Sequence, residues 1–205
     1  MLKCAIPALA TAIILGFAST PARASDNFFA ALFEDRPAPE EMVATYDDQK
    51  LARQYPDSTR EMVDDPTNER PGTVTVDTRN RYLYLSLAGG RAWRYGVGVG
   101  RQGFTWKGRT NIGRKEAWPN WTPPAAMLKR RPDLPRHMLG GEDNPLGARA
   151  MYLYSGNRDT MFRIHGSNEP WSIGQAVSSG CIRMLNEDVA DLFSRVKVGT
   201  AVVVL

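Results

Sequence analysis

The chain has 205 residues, of which 42% are hydrophobic and 23% are charged, and its formal net charge is +4. This length is enough for one compact domain with a core of its own and an appendage. The excess of positive charge is small and no stripe of lysine and arginine residues occurs in the sequence, so we expect no nucleic-acid partner.

Residues 1–24 have the pattern of a secretory signal peptide. Lys3 supplies the positive charge, an apolar stretch runs from Ala5 to Phe17, and Ala22-Arg23-Ala24 forms an A-x-A cleavage pattern. The apolar stretch is too short for a typical transmembrane helix, with an uncleaved membrane anchor as the alternative. We therefore expect export to the periplasm and a mature chain that begins at Ser25 and contains no membrane span.

Residues 25–70 are predicted to form a loosely structured lead-in segment. The spacing of the apolar residues over 28–33 fits one short helix, and 40–55 could hold another. Several prolines interrupt the segment, which favours a partly helical stretch that packs on the domain following it.

From residue 71 the pattern is that of β-strands. Thr73–Thr78, Arg81–Leu87 and Arg91–Gly100 are separated by short turns, which predicts an antiparallel meander. Later segments predict three more strands (148–154, 161–165 and 200–205) and one short helix (187–196) with Asn186 as its N-cap. Because no long helices alternate with these strands, residues 71–205 are predicted to form a mainly β domain, a β-sandwich.

The segment Gly98-Val-Gly-Arg-Gln-Gly103 matches G-x-G-x-x-G, but the residues after it do not predict a helix. Dinucleotide binding needs a helix N-terminus at that point to hold the pyrophosphate. We interpret the glycines at 96, 98 and 100 instead as positions that allow something to approach one face of a strand closely.

Cys181 is the only cysteine that remains once the signal peptide, with Cys4, is removed. A single thiol in an oxidising compartment has no disulfide partner in its own chain, so its presence suggests that the sulfur itself is needed. A thiol nucleophile must become a thiolate, which requires a base or a positive charge nearby.

The sequence has two histidines, His137 and His165. Because His165 ends a predicted strand and Cys181 follows a glycine-containing loop, the two side chains can come within hydrogen-bond reach. If the segment is extended, Arg183 shares a face with Cys181, where it can lower the pKa of the thiol or hold a substrate carboxylate. The backbone amides of Gly180 and Cys181 are candidates for an oxyanion hole.

Other roles for these residues remain open at this point. A lone cysteine is often a small buried apolar residue, and a lone histidine often has a structural role. A zinc site built from His137, His165 and Cys181 is a further alternative, although their spacing matches no zinc motif.

The residues His165-Gly166 and, further on, Ser178-Ser179-Gly180-Cys181-Ile182-Arg183 resemble the signature of bacterial L,D-transpeptidase catalytic domains, the YkuD-like family. The resemblance covers about 71–205. The family often has a histidine directly before the Gly-Cys pair, where this chain has Ser179. This difference leaves His165 as the base.

The resemblance implies a two-step acyl transfer on peptidoglycan stem peptides that needs neither a metal nor an organic cofactor. Cys181 would be the nucleophile and His165 the base, with the imidazole oriented by the backbone around Gly166. The thiol would expel D-alanine from a tetrapeptide stem, and an amine from a second stem or from an anchored envelope protein would attack the thioester. Water as the acceptor would make the enzyme an L,D-carboxypeptidase, and a non-catalytic peptidoglycan-binding module is the alternative from another class.

Residues around the two motifs are expected to contact the substrate. Trp121 lies in the tryptophan- and proline-rich segment 106–124, which we predict to be a loop that either lines a groove or packs on the domain edge. We place His137 at the rim of the site. The expected substrate-binding residues are Gly166, Ser167, Ser178, Ser179, Trp121 and His137.

Overall fold

The structure, a computed structural model, describes residues 56–205. The predicted signal peptide and the two helices predicted before residue 56 lie outside the described residues. Within 56–205, no helix has the length and apolar character needed to cross a membrane.

The described residues form a mainly β fold, as predicted. The strands are β1 (Glu61–Asp64), β2 (Val74–Asp77), β3 (Tyr82–Ser86), β4 (Arg91–Gly96), β5 (Val99–Gly100), β6 (Gly108–Ala117), β7 (Arg149–Ser155), β8 (Arg158–His165), β9 (Ala176–Ser178), β10 (Ile182–Arg183) and β11 (Ala201–Val204). The α-helices are α1 (Ala125–Arg130) and α2 (Asn186–Arg195).

Nine of the strands form one mixed sheet in the order β1-β4-β3-β2-β11-β6-β7-β8-β10, and β5 pairs with β9 in a small second sheet. The predicted meander is confirmed, because β2, β3 and β4 pair antiparallel with Val74 opposite Leu85 and Leu83 opposite Tyr95. Val74, Val76 and Leu83 are fully buried, and Thr75 and Tyr84 on the other face of the same strands are buried as well. Strands β2 and β3 are therefore covered on both faces.

A backbone bridge between Gly98 and Arg183 joins the last strand, β10, to the residues that follow β4. A Cβ atom at Gly98 would lie 2.5 Å from the carbonyl oxygen of Ser172, and one at Gly100 would lie 2.6 Å from that of Phe104. The interpretation of these glycines as positions of close approach is therefore confirmed. The same segment leads through β5 into a turn, so it presents no helix N-terminus to a dinucleotide.

Strand β6 differs from the sequence prediction, which placed 106–124 in a loop. It lies in the middle of the sheet between β11 and β7, yet Ile112 is its only buried residue. Lys115 shows how a polar strand fits there, because its Nζ donates to the carbonyl oxygens of Phe193 and Val196 at the end of α2, each at 2.6 Å. The prediction was wrong because β6 lacks the apolar alternation that normally marks a strand.

Helix α2 packs on the core through Val189 and Leu192, which are fully buried. The helix begins at Asn186, whose side chain does not cap it as predicted. The Oδ1 atom of Asn186 instead accepts a hydrogen bond from the amide of Ala148 at 2.9 Å. This contact connects the start of α2 to the start of β7, beside the loop that follows His165.

The described part of the lead-in segment belongs to the same sheet, because β1 pairs antiparallel with β4. Just before β1, Ser58 and Thr59 donate three hydrogen bonds of 2.6–3.0 Å to the carboxylate of Asp188, which is 1% exposed. These bonds satisfy a buried charge in the first turn of α2, so residues 58–64 are integrated into the fold.

Candidate active site

Strands β8 and β10 run parallel, with Arg183 beside His165 and Ile182 beside Ile164. Side chains two residues apart on a strand lie on the same face, so the pairs Cys181 and Arg183, and Arg163 and His165, face the same side. We call β8, β10 and the turn 178–181 the cleft floor. Cys181, His165 and Arg183 all line one cleft of about 220 Å³ above it.

The opposite side of the cleft is formed by residues 118–148, between β6 and β7, which we call the cleft wall. The side chains by which the cleft wall lines the cleft are mostly apolar, whereas the cleft floor supplies the thiol, the imidazole and the guanidinium group. The wall residues that line the cleft are Trp121, Pro124, Met127, Pro145 and Leu146. A second hollow of about 280 Å³ also reaches Cys181 and is lined by Arg114, Tyr152 and Arg163.

The turn that presents Cys181 depends on Gly180. Its φ is +105°, and a Cβ atom there would lie 2.5 Å from Cε1 of Phe162. Trp106 stacks on Phe162 with a centroid distance of 4.7 Å and an interplanar angle of 11°, and its Nε1 donates to the Gly180 carbonyl at 3.2 Å. Only glycine combines this backbone angle with so close an aromatic neighbour.

Two hydrogen bonds of the Ser178 side chain stabilise the same turn. Its hydroxyl donates to the carbonyl oxygen of Cys181 at 2.6 Å and accepts from the amide of Gly180 at 3.1 Å. This corrects the expectation for the oxyanion hole, because the Gly180 amide is already bonded. The amide of Cys181 remains the candidate donor.

His165 is buried, with 5% of its surface exposed, and its Nδ1 lies 2.5 Å from the carbonyl oxygen of Gly166. A carbonyl oxygen only accepts hydrogen bonds, so Nδ1 carries the proton and the lone pair of the neutral ring is on Nε2. Burial and then the positive charge of Arg183 lower the pKa of His165 to about 3. The imidazole is therefore neutral at pH 7 and able to accept a proton.

Cys181 is partly exposed to the cleft, but the surrounding protein still desolvates its sulfur. Burial raises the pKa of the thiol, and this outweighs the backbone hydrogen bond from Arg163 and the positive charges of Arg163 and Arg183, which lower it. The resting pair is thus a neutral thiol and a neutral imidazole. The positive charges that the sequence analysis invoked to favour the thiolate are therefore present, but burial outweighs them in the resting protein.

Both arginines of the floor are paired with carboxylates. Arg163 makes two hydrogen bonds to Asp159, at 2.7 and 2.9 Å, and its guanidinium carbon lies 4.4 Å from the centroid of the Tyr152 ring. Arg183 makes one contact of 2.5 Å to Glu169. The sequence pattern did not single out Arg163, although its position two residues before His165 on a strand places it on the same face.

The remaining residues expected to bind substrate fall into two groups. Trp121, Ser178 and Ser179 line the cleft, and Gly166 acts through its carbonyl on His165. Ser167 instead lines a separate hollow with Asn168, and its Oγ accepts from the amide of Glu169 at 3.0 Å. His137 is exposed, 3.2 Å from the hydroxyl of Thr122, and is not among the residues that line the cleft.

The sequence-based expectation placed Ser167 and His137 at the cleft, and the structure places both outside its lining for the same physical reason. Each lies in irregular chain, where spacing in the sequence does not determine which way a side chain faces. Among residues 56–205, no three His, Cys, Asp or Glu side chains are grouped so that they could hold a metal ion. The zinc site considered above, with His137 as one ligand, is therefore not formed.

Comparison with protein families gives one match that spans most of the described chain. The model of the YkuD family, the L,D-transpeptidase catalytic domain, matches residues 71–204. This range contains the cleft floor, the cleft wall and all the candidate catalytic residues.

Two curated proteins of Escherichia coli K12 are similar over the same region. The probable L,D-transpeptidase YbiS is 39% identical over 145 residues, which are 67% of this chain and 45% of that protein. The probable L,D-transpeptidase ErfK/SrfK is 33% identical over 148 residues, which are 68% of this chain and 46% of that protein. The chain thus spans less than half the length of these relatives.

Among solved structures, one from Brucella melitensis is 47% identical with a TM-score of 0.50, covering 73% of this chain and 95% of that one. That protein is named a probable carnitine operon oxidoreductase, caia. The structure of the Ldtfm-avibactam carbamoyl enzyme is 20% identical with a TM-score of 0.50, covering 67% of this chain and 49% of that one. The second likeness concerns the fold alone.

Proposed function

The chain belongs to the YkuD family of L,D-transpeptidase catalytic domains, and on this premise we propose that it is an active cysteine L,D-transpeptidase of the cell envelope. Its donor substrate would be a peptidoglycan tetrapeptide stem. The observation that carries the proposal is the arrangement of Cys181 and His165, which face one cleft from neighbouring strands with Nε2 of the imidazole free to accept a proton.

In the first step, the sulfur of Cys181 attacks the carbonyl carbon at the L-centre of the diamino acid while its proton passes to Nε2 of His165. The C–N bond to the terminal D-alanine then breaks, and the proton on Nε2 moves to the departing amine. The products of this step are a thioester on Cys181 and free D-alanine.

In the second step, an amine attacks the thioester and gives its proton to Nε2. The carbon–sulfur bond then breaks, and the proton passes from Nε2 to the sulfur of Cys181. The amine comes from a second stem, which yields a 3-3 cross-link, or from an envelope protein that becomes anchored. Water in the same position would yield the L,D-carboxypeptidase product. The apolar residues of the cleft wall favour amine transfer, because they limit the water that can reach the thioester.

The neutral resting pair affects how the first step proceeds. Because burial disfavours both the thiolate and the imidazolium, we expect proton transfer to accompany carbon–sulfur bond formation rather than to precede it. As the oxygen of the substrate becomes negative, the amide of Cys181 would stabilise it. The positive charges of Arg163 and Arg183 would also stabilise the negative charge on this oxygen.

The substrate requires export, and the signal-peptide pattern of residues 1–24 supports a periplasmic location. The chain spans less than half the length of its Escherichia coli relatives. The partners proposed here therefore concern the catalytic region alone, and not the parts of those relatives that this chain does not match.

The test is incubation of the protein with purified muropeptides, followed by mass spectrometry. We expect release of D-alanine together with cross-linked dimers, or an adduct when a peptide amine is supplied. The Cys181→Ala variant should lose both products by more than about 1000-fold, because the nucleophile is absent. Release of D-alanine without transfer would indicate a carboxypeptidase, and unchanged muropeptides would indicate a binding module.

A further inference from the structure

The two arginines that flank Cys181 are held by their carboxylates in different ways. Arg163 is 12% exposed, forms a two-bond contact with Asp159, donates to the carbonyl oxygen of Phe162 and lies over the Tyr152 ring. Arg183 is 22% exposed and makes a single contact with Glu169, whose side chain is 43% exposed. The Arg163–Asp159 pair thus has two hydrogen bonds and further contacts that hold Arg163 in place, whereas the Arg183–Glu169 pair has one.

We propose that the contact between Arg183 and Glu169 is exchangeable, and that the terminal carboxylate of the donor peptide replaces Glu169 on Arg183 when the substrate binds. Glu169 would then be a specificity-determining residue that occupies the anion site while the cleft is empty. This inference rests on the proposed function, because the terminal carboxylate belongs to the donor peptide that the proposed reaction uses.

The free-energy cost of the exchange is small for Glu169. Its side chain is already in contact with water, so release from Arg183 does not leave a buried charge without a partner. The loop position of Glu169 does not depend on Arg183 either, because its amide is held by the hydroxyl of Ser167 at 3.0 Å. The corresponding release of Asp159 would break a bidentate pair and is disfavoured.

The position of Arg183 suits this role. It is the neighbour of His165 across the strand pair and lines the same cleft as Cys181. In the donor peptide, the terminal carboxylate is separated from the scissile nitrogen by a single carbon atom. A carboxylate bound to Arg183 would therefore bring the scissile bond close to both the thiol and the imidazole. When D-alanine leaves, Glu169 would return to Arg183.

Two alkylating reagents of similar size and different charge test the anion site without any peptide substrate. Iodoacetate and iodoacetamide both alkylate Cys181, but only iodoacetate carries a carboxylate. The ratio of their rates at one pH cancels any change in thiol ionisation. We expect the ratio of the iodoacetate rate to the iodoacetamide rate to rise about threefold in Glu169→Gln, because the competing carboxylate is removed. In Arg183→Gln the same rate ratio should fall below the wild-type value, because the positive charge that attracts iodoacetate is lost.

The control variant is Glu142→Gln, which removes the same charge from an exposed position outside the cleft lining. It should leave the ratio at the wild-type value. Equal ratios in wild type, Glu169→Gln and Glu142→Gln would overturn the proposal, and so would a ratio that Arg183→Gln leaves unchanged.

A second measurement uses the donor itself. In Glu169→Gln the KM for a tetrapeptide should fall about threefold, while the KM for the same peptide with a C-terminal amide stays unchanged. Equal effects on both peptides would contradict the exchange. If neither peptide reacts with the wild-type protein, the proposed transpeptidase function fails, whereas the alkylation ratio still reports on the anion site.

Discussion

The cleft floor and the cleft wall meet at the same cavity but are built by different means. The floor takes its geometry from paired strands, so backbone hydrogen bonds and core packing determine where Cys181 and His165 lie. The wall spans residues 118–148 and contains only one short helix. It is held by the backbone bridge between Trp121 and Met138 and by the side chain of Asn144.

Under the proposed function, the floor carries the chemistry and the wall selects the substrate. A residue on the floor cannot move without disturbing the core, which preserves the relation between Cys181 and His165. A change in the wall leaves that relation intact. Variants in the two regions should therefore give different combinations of effects on stability, thiol reactivity and KM.

Gly180→Ala should have the largest effect. The substitution places a Cβ atom 2.5 Å from the Phe162 ring at a φ of +105°, so the turn must move. We expect a loss of about 3 kcal/mol in the free energy of unfolding, together with loss of muropeptide turnover. Urea unfolding and the mass-spectrometric assay measure the two effects.

The matched control is Gly156→Ala, at the turn between β7 and β8. Its φ is +59°, but a Cβ atom there would have no neighbour within 4 Å. A loss of about 1 kcal/mol is expected from backbone strain alone, with activity retained. Equal losses in the two variants would show that contact with Phe162 does not constrain the nucleophile turn.

Asn144→Ala should affect the wall and spare the floor. Asn144 is 1% exposed, its Nδ2 donates to the carbonyl oxygens of Pro119 and Leu139, and its Oδ1 accepts from the amide of Leu146. Loss of these bonds should cost about 2 kcal/mol and raise the KM for the donor peptide. The rate of alkylation of Cys181 by iodoacetamide should stay within about twofold of wild type.

Asn120→Ala serves as the comparison within the wall. Asn120 is exposed and accepts one hydrogen bond, from the amide of Gly140 at 3.0 Å. Its loss should cost less than about 0.5 kcal/mol. If Asn144→Ala slows alkylation as strongly as it raises KM, floor and wall are not independent.

The two histidines should differ in how they affect stability as a function of pH. Because the pKa of His165 is lowered to about 3 in the folded protein, the unfolded chain binds a proton near pH 6.5 that the folded protein does not bind. Stability should fall by about 1.4 kcal/mol per pH unit as the pH drops from 6 towards 4. His165→Gln should remove this contribution from the slope.

His137→Gln is the control, because the His137 side chain is exposed in the wall. It should keep the wild-type dependence of unfolding free energy on pH. A slope that responds to His137→Gln and not to His165→Gln would contradict the assignment of His165 as the buried neutral imidazole.

The sequence predicted the strands in which apolar residues recur at every second position and the residues that belong to a local motif. The β2–β4 meander followed from apolar residues at every second position, and Cys181, His165 and Arg183 followed from their motif. Strand β6 was not found, because partners on both sides and the Lys115 contacts stabilise a segment that has no apolar face of its own.

The parts of the site that escaped prediction depend on neighbours distant in the sequence. Arg163 lies beside Cys181 only because β8 and β10 pair in one register, and Glu169 reaches Arg183 only through the loop after His165. The pKa of His165 depends on burial, which a motif does not report. The sequence pattern therefore identified the candidate reacting groups, and three-dimensional packing determines their protonation states.

Strand β1 lies before the region that matches the family, and this sets the minimum length of a workable fragment. A protein trimmed to 71–205 would lose the outer partner of β4 and expose an unpaired row of amides and carbonyls, which invites aggregation. The buried Asp188 carboxylate would also lose the hydrogen bonds that Ser58 and Thr59 donate to it. Fragments made for crystallography or inhibitor screening should therefore begin no later than residue 58.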